Sequence, residues 1–595
     1  MKRADLLKSA AASCGSLAFG EGVTMTDAAA ANTSADAELD AILAAEWTDY
    51  HRRHPIQASL DGDRSADDRW DDQSLTALAD EAAHQRTVLT RVEGLGPLSA
   101  GGTLNRDLYA GQLRDTLRGY ELRTYLFAVS PRDGVQTYAG YADTLPFASL
   151  RDYDAWQARL EAYPTAVAQT IDLLREAVAR HLLWPRTSMQ RLPAQIDRLL
   201  GDVETSPFYA PYTRIPAALS SADAARIRER ARRTVEAGVN PALRTLRAFI
   251  ADVYLAAAPS EVGLSHLPGG EAMYAYFAAS YTTTSMTPDA IHQLGLREVA
   301  RIRAAMEALA PKTGYTGDLP DVFAQLRADP ANYISDPHAL LTAYRATAKR
   351  TDPELTRIFH LSSLPRLPYG VVPIPAALAP DTTTAYYQPG ALDGSRAGLY
   401  NVNLYQPSQR PLYEMTVLSL HESVPGHHLQ IALAQELQGL PEFRRAGLSY
   451  TAYVEGWGLY SESLGDEMGL YDDPKSKFGA LTYEMWRAVR LVVDTGMHAQ
   501  NWTRQRAIDY FLANAAKTKL DVENEIDRYI TNPGQALAYK IGQLKILELR
   551  ERARRRLGPR FDLRDFHAVV LSQGALPLDV LERRVDDWLS GAPAA

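Results

Sequence analysis

The sequence predicts a mainly α-helical protein that carries one small antiparallel β-sheet. Two observations lead there: apolar residues recur three and four apart along most of the chain, and only the segment from Arg366 to Tyr405 breaks that rhythm with runs rich in Pro, Val, Thr and Tyr. A third narrows the architecture. No stretch repeats another and no linker is long enough to force a boundary, which argues against a solenoid or an array.

The elements follow in order. The chain opens with Lys2-Arg3-Ala4-Asp5-Leu6-Leu7-Lys8, an uncharged segment from Ser9 to Gly20 and an Ala-rich stretch ending near Ala31. A basic start, a short apolar run and small residues for cleavage make an export signal, and residues 1–35 are assigned to it and to a flexible N-terminus. The wording is that of a twin-arginine leader lacking one arginine. Cys14 offers a lipoprotein box as the lesser alternative, because Ala11 stands where Leu is usual. Residues 36–360 form a helical N-terminal region, seen in Leu39-Ile42-Leu43, Leu173-Leu174-Ala177 and Ala242-Leu243-Leu246-Phe249-Ile250, with turns expected at Leu95-Gly96-Pro97 and Gly101-Gly102. Residues 361–595 hold the sheet, with strands expected over Tyr369–Ile374, Thr382–Tyr387 and Gly398–Leu404. Helices follow, among them Ala480–Gln500, Glu525–Ile530, Ala536–Arg556 and Leu578–Leu589. The two regions are expected to form one cleft.

Composition excludes whole classes. Of 595 residues 46% are hydrophobic and 23% charged, and the 38 Gly and 34 Pro follow no period, so the chain is neither collagen-like nor disordered. A net charge of -9, with signs interspersed, leaves no basic stripe for nucleic acid. No uncharged apolar run reaches the length of a membrane helix. Cys14 is the single cysteine, so disulfides, a thiolate nucleophile and cysteine metal sites are excluded from the body, and any metal is left to His, Asp and Glu.

The chemistry is concentrated in His421-Glu422-Ser423-Val424-Pro425-Gly426-His427-His428. Two histidines at i and i+4 on a helix, with a Glu beside the first, are how a zincin holds Zn and positions a base for its water. Here the second histidine comes at i+6 or i+7, and seven helical residues rise about 10 Å, too far for one ion. The helix must therefore be interrupted. Pro425 lacks the N–H that would bond the His421 carbonyl and Gly426 accepts unusual dihedrals, so the sequence provides the interruption. Glu455, 28 residues after His427 in Tyr453-Val454-Glu455-Gly456-Trp457-Gly458-Leu459-Tyr460-Ser461-Glu462, can complete a His₂Glu set and leave a fourth position for water. Engagement of both His427 and His428, or addition of Glu462, would instead close the site and make the metal structural. Arg490, Asp494 and His498 are successive i+4 neighbours, either an intrahelical ladder or a supporting set in which Asp494 orients His498 toward a substrate oxygen. The Gly398–Asn403 strand is either internal or free to pair with an extended peptide.

Four motifs in order, LHESVPGHHLQ (420–430), YVEGWGLYSE (453–462), RAVRLVVDTGMH (487–498) and PGQALAYKIGQLKILELR (533–550), resemble the bacterial family called domain-of-unknown-function 885, itself distantly similar to the Glu-zincin metallopeptidases. The resemblance spans roughly Leu364 to Trp588. It implies a large, multi-helix, zincin-like peptidase fold with the sheet beside the active-site helix, and a metallopeptidase-like catalytic region over 361–595. It further implies Zn²⁺ on His421, His427 and Glu455, with Glu422 as general base and Tyr539 aimed at the developing oxyanion. The expected activity is Zn-dependent hydrolysis of amide bonds in short peptides, in the periplasm. The other readings are an ester or lactone hydrolase with the same machinery and a helical binding protein with a structural metal.

Overall fold

The computed structural model describes residues 34–376, 379–447 and 449–591, so the leader-like segment and Cys14 lie outside the described residues. What it describes is mainly helical with one three-stranded sheet.

The N-terminal region is built on the long helix α1, Leu150–Arg180. A capping box between Ser149 and Asp152 starts it, satisfying two N-terminal backbone donors. Tyr153, Trp156, Leu160, Tyr163, Val167, Ile171 and Leu174 then recur at helical spacing and are buried in the largest apolar cluster. The expected turn at Gly101-Gly102 is not one. Both glycines lie in the first turn of the helix Ala100–Glu121, where Ser99 Oγ accepts the Gly102 N–H at 3.0 Å, so the N-cap outweighs the helix-breaking tendency of the pair.

Helix α2, Pro288–Leu309, runs against the central helix of the C-terminal region, joined to it by a 2.8 Å bond between His292 Nδ1 and Thr495 Oγ1. The sheet comprises β1 (Tyr369–Pro373), β2 (Ala385–Gln388) and β3 (Gly398–Val402) in the order β1-β3-β2. It is mixed and not antiparallel: β2 pairs antiparallel with β3, but β1 pairs parallel with it. Strand patterning reveals extended residues, whereas the partner of a strand is decided by the path of the connection. Because β3 is central, with a neighbour on each side, it has no edge to offer a peptide.

Six further helices surround the site: α3 (Met415–Glu422), α4 (His427–Glu436), α5 (Thr451–Ser463), α6 (Pro474–Ala499), α7 (Lys519–Thr531) and α8 (Ala538–Leu557). From Thr482 to His498 almost every residue of α6 is buried, so this helix is enclosed on all sides. Helices α5 and α8 meet backbone to backbone, since any side chain at Gly456 would collide with Gly542.

Candidate metal centre

Helix α3 ends at Glu422 and α4 begins at His427, with Ser423–Gly426 looped out between them. The loop is tied at both ends. Ser423 N–H donates to Ser419 O at 2.9 Å and His428 N–H donates to Ser423 O at 3.1 Å. The Pro425 carbonyl accepts from Trp457 Nε1 at 2.8 Å and from Ser461 Oγ at 3.3 Å, so α5 satisfies a group that the interrupted helix leaves open. A Cβ at Gly426 would fall 1.9 Å from the His421 carbonyl oxygen, so only glycine permits the chain to turn this closely and return His427 to His421.

The result is convergence. Glu455 Oε2 lies 3.4 Å from His421 Nε2 and 3.3 Å from His427 Nε2, and one donor atom from each residue falls within 4.8 Å of the others. Glu455 Oε2 is buried and has no hydrogen-bond partner among the described residues. Donors about 2.0–2.1 Å from a tetrahedral ion stand roughly 3.3 Å apart, and two imidazoles with one carboxylate are a zinc donor set, so the residues fit that ion. Charge agrees with geometry. Burial alone would depress the His421 imidazolium, yet Glu455, Glu462 and the charge of Glu422 hold it up at about 9. Burial likewise opposes the Glu455 carboxylate, but the two imidazoles hold it well below the usual range. The pocket thus favours positive charge against Glu455.

His421 is oriented from behind. Its Nδ1 lies 2.8 Å from Glu462 Oε1, and Arg487 Nη2 reaches the same oxygen at 3.2 Å. With Nδ1–H donated to Glu462, the ring turns its Nε2 toward Glu455. Glu462 therefore buttresses a histidine and does not join the donor set. Gly458 makes room for the ring: a Cβ there would lie 2.7 Å from His421 Cε1. His428 points elsewhere. Its Nδ1 meets Tyr387 Oη at 3.0 Å, its ring lies against Tyr369, and burial holds it neutral, with a pKa of about 4.

These donors line a cavity of about 240 Å³ together with Glu422, Tyr539 and the arginines Arg132, Arg487, Arg490 and Arg528. The Tyr539 ring stacks on His421 with centroids 6.4 Å apart, and burial with the charge of Glu455 raises its hydroxyl pKa. Strand β2 forms part of the wall through Ala385, Tyr386 and Tyr387. Arg132 comes from the N-terminal region and donates to Asn524 O of α7 at 3.3 Å, so both regions wall the cavity. Arg132 and Thr383 also line an adjoining chamber of about 830 Å³.

His498 does not join the site. Its Nδ1 accepts the Leu264 N–H at 3.2 Å and its Nε2 donates to Tyr529 O at 3.0 Å, and it is absent from the cavity wall. Both nitrogens are committed to backbone, and burial pushes its pKa to about 4. Asp494 does not orient it either, being taken up by Tyr274 Oη at 2.6 Å and Gly534 N at 3.1 Å. Sequence reasoning overlooked Trp457 and Gly458, and considered Glu462 only as a metal ligand and not as the partner of His421. The available signal was their spacing, since Glu455, Gly458 and Glu462 lie three and seven apart and so share a face of α5. One other cluster, Glu46, Asp49 and His84, could hold a metal among the described residues. Its acids already pair with His84, Arg52 and Arg53, which leaves less reason for an ion.

A profile of the family described as "Bacterial protein of unknown function (DUF885)" matches residues 55–585. No curated protein matches the chain. Among solved structures, one from Colwellia psychrerythraea, described as a "putative lipoprotein", is 28% identical with a TM-score of 0.88 and covers 94% of this chain and 100% of its own. Another from Shewanella oneidensis, a "putative lipoprotein of unknown function", is 18% identical with a TM-score of 0.65 over 93% and 99%, and shares the fold.

Proposed function

The chain belongs to the bacterial family DUF885, and on that premise we propose that it is a zinc-dependent peptidase of zincin-like fold, hydrolysing amide bonds of short peptides. The observation that carries the reading is the convergence of His421, His427 and Glu455 on one point of a cavity whose wall also holds Glu422. When bound, zinc would polarise a carbonyl and lower the pKa of water at this point. His421 and His427, from the two ends of the Ser423–Gly426 loop, would hold the ion, and Glu455 would add an anionic donor from α5. Glu422, next to His421 in sequence and on the same wall, takes the proton of the attacking water and passes it to the leaving amine. The Tyr539 hydroxyl donates to the oxygen on which charge develops. Strand β2 is an edge of the sheet and lines the cavity, which suits an extended peptide backbone.

A structural metal needs a fourth protein ligand. His428 and Glu462 were the candidates for it, and each is engaged elsewhere. The experiment is metal analysis of the purified protein together with cleavage of a mixed peptide library, reading the product termini. About one zinc per chain with amide cleavage supports the reading, and zinc without cleavage of any peptide overturns it. Export belongs to the same proposal. It rests on the basic-then-apolar N-terminus and on the description of each of the two similar structures as a "putative lipoprotein", and cell fractionation tests it.

A further inference from the structure

Beyond the metal ligands, the cavity wall carries more cations than carboxylates, and two of the cations, Arg487 and Arg490, are buried. Glu525 on α7 accepts from Arg490 Nη2 at 3.1 Å and from Arg528 Nη2 at 2.9 Å, and the charge of Arg132 also acts on it. One carboxylate thus faces three guanidinium groups. Arg528 is fully engaged, since its Nη1 donates to Gln535 at 2.8 Å. Arg490 is not. Its guanidinium lies over the rings of Trp486 and Tyr539 at 4.7 and 4.3 Å, its Nε donates to Tyr529 Oη at 2.6 Å, and its Nη1 is buried with no hydrogen-bond partner among the described residues. A planar cation packed against two aromatic rings and held along one edge, with a donor left over beside a cavity, is built for an anion of matching geometry.

We infer that Arg490 binds a carboxylate of the substrate through Nη1, and that this carboxylate is the C-terminus of the peptide, so that cleavage falls near that end. The inference rests on the peptidase reading for its substrate class. The spacing supports it: both groups lie against the Tyr539 ring, Arg490 4.3 Å and His421 6.4 Å from its centroid. Two groups against one ring stand no more than about 11 Å apart, which at roughly 3.3 Å per extended residue leaves room for no more than about three residues between the terminal carboxylate and the bond to be broken. Arg490 is then a specificity-determining residue, and Glu525 and Tyr529 are positioning residues that hold its fork.

The test is equilibrium binding by calorimetry to the zinc-loaded, full-length Glu422→Gln protein. Three forms of one tetrapeptide are compared: the free acid, the C-terminal amide, and the amide with Glu as its last residue. The free acid should bind about ten- to a hundredfold more tightly than the plain amide, as expected for one charge-assisted hydrogen bond, and R490Q should abolish the gap. Preference for the Glu-bearing amide over the free acid would keep a carboxylate site but overturn its assignment to the C-terminus. Equal affinities for all three peptides, or no binding of any, overturn the inference without recourse to a variant. Acid-selective binding in a chain that cleaves no peptide would defeat the peptidase reading and leave Arg490 as a carboxylate site, whereas cleavage without acid preference would do the reverse.

Discussion

His421 and Glu462 meet at 2.8 Å through the imidazole Nδ1, on the side of the ring away from the point where His421, His427 and Glu455 converge. The contact fixes which nitrogen faces that point. Removing the charge while keeping the shape, in Glu462→Gln, should weaken zinc affinity by roughly 10- to 100-fold with all three ligands intact. Competition against a chelator of known affinity measures this, and unchanged affinity would show that Glu462 has no part in preparing His421.

The ligands themselves should separate cleanly by single substitutions. His421→Ala and His427→Ala are expected to lose zinc, because neither imidazole has a replacement nearby, while His428→Ala retains it because that ring is directed at Tyr387. Metal content of the three proteins decides. Zinc lost from the His428 variant and kept in the His427 variant would reverse the assignment.

Catalysis and metal binding should come apart at the two glutamates. Glu422→Gln keeps near-normal zinc and lowers peptide hydrolysis by the roughly 10² to 10⁴ typical of general acid–base catalysis. Glu455→Gln should instead release metal, since a neutral amide replaces the one anionic donor. Wild-type turnover by Glu422→Gln would refute the mechanism even with the metal in place.

Gly458→Ala changes no polar group, yet its methyl would fall 2.7 Å from the His421 ring. The ring must tilt away from its position beside Glu455. The expected result is reduced zinc affinity in a folded protein, read by metal titration alongside circular dichroism. Full affinity would mean that α5 shifts to admit the methyl.

Acid stability depends in part on His498, one of several histidines, with His428 and His567, that burial keeps neutral well below the usual range. Unfolded, it takes up a proton near pH 6.5, whereas buried in the fold it stays neutral down to about 4. Between those values the unfolded chain binds the extra proton, so this contribution is fully present above pH 6.5 and is lost as pH falls toward 4, by on the order of 3 kcal/mol. His498→Gln should flatten that part of the stability profile in denaturant unfolding at pH 7, 6, 5 and 4. A slope equal to the wild type's would mean that other groups carry the acid sensitivity.

By itself the sequence determined the helical class, most of the helices of the C-terminal region, and the three residues, His421, His427 and Glu455, that the fold brings together. Heptad-scale periodicity and the chemistry of His, Glu, Pro and Gly are local properties, legible wherever they occur. Pro425 and Gly426 even announced that the helix must break, although Gly426 proves necessary because the His421 carbonyl lies so close, which only a folded loop shows. The tertiary structure decided what depends on direction. His427 and His428 are adjacent, yet one faces Glu455 and the other Tyr387, because neighbouring side chains on a helix diverge by about 100°. His498 shares a helix face with Arg490, but the face passes from the cavity into the contact with Leu264 and Tyr529, so the same pattern lines a site at one end and packs against backbone at the other. The parallel pairing of β1 with β3 and the arrival of Arg132 from the N-terminal region were likewise beyond sequence reading, since both join segments that only the folded chain brings together.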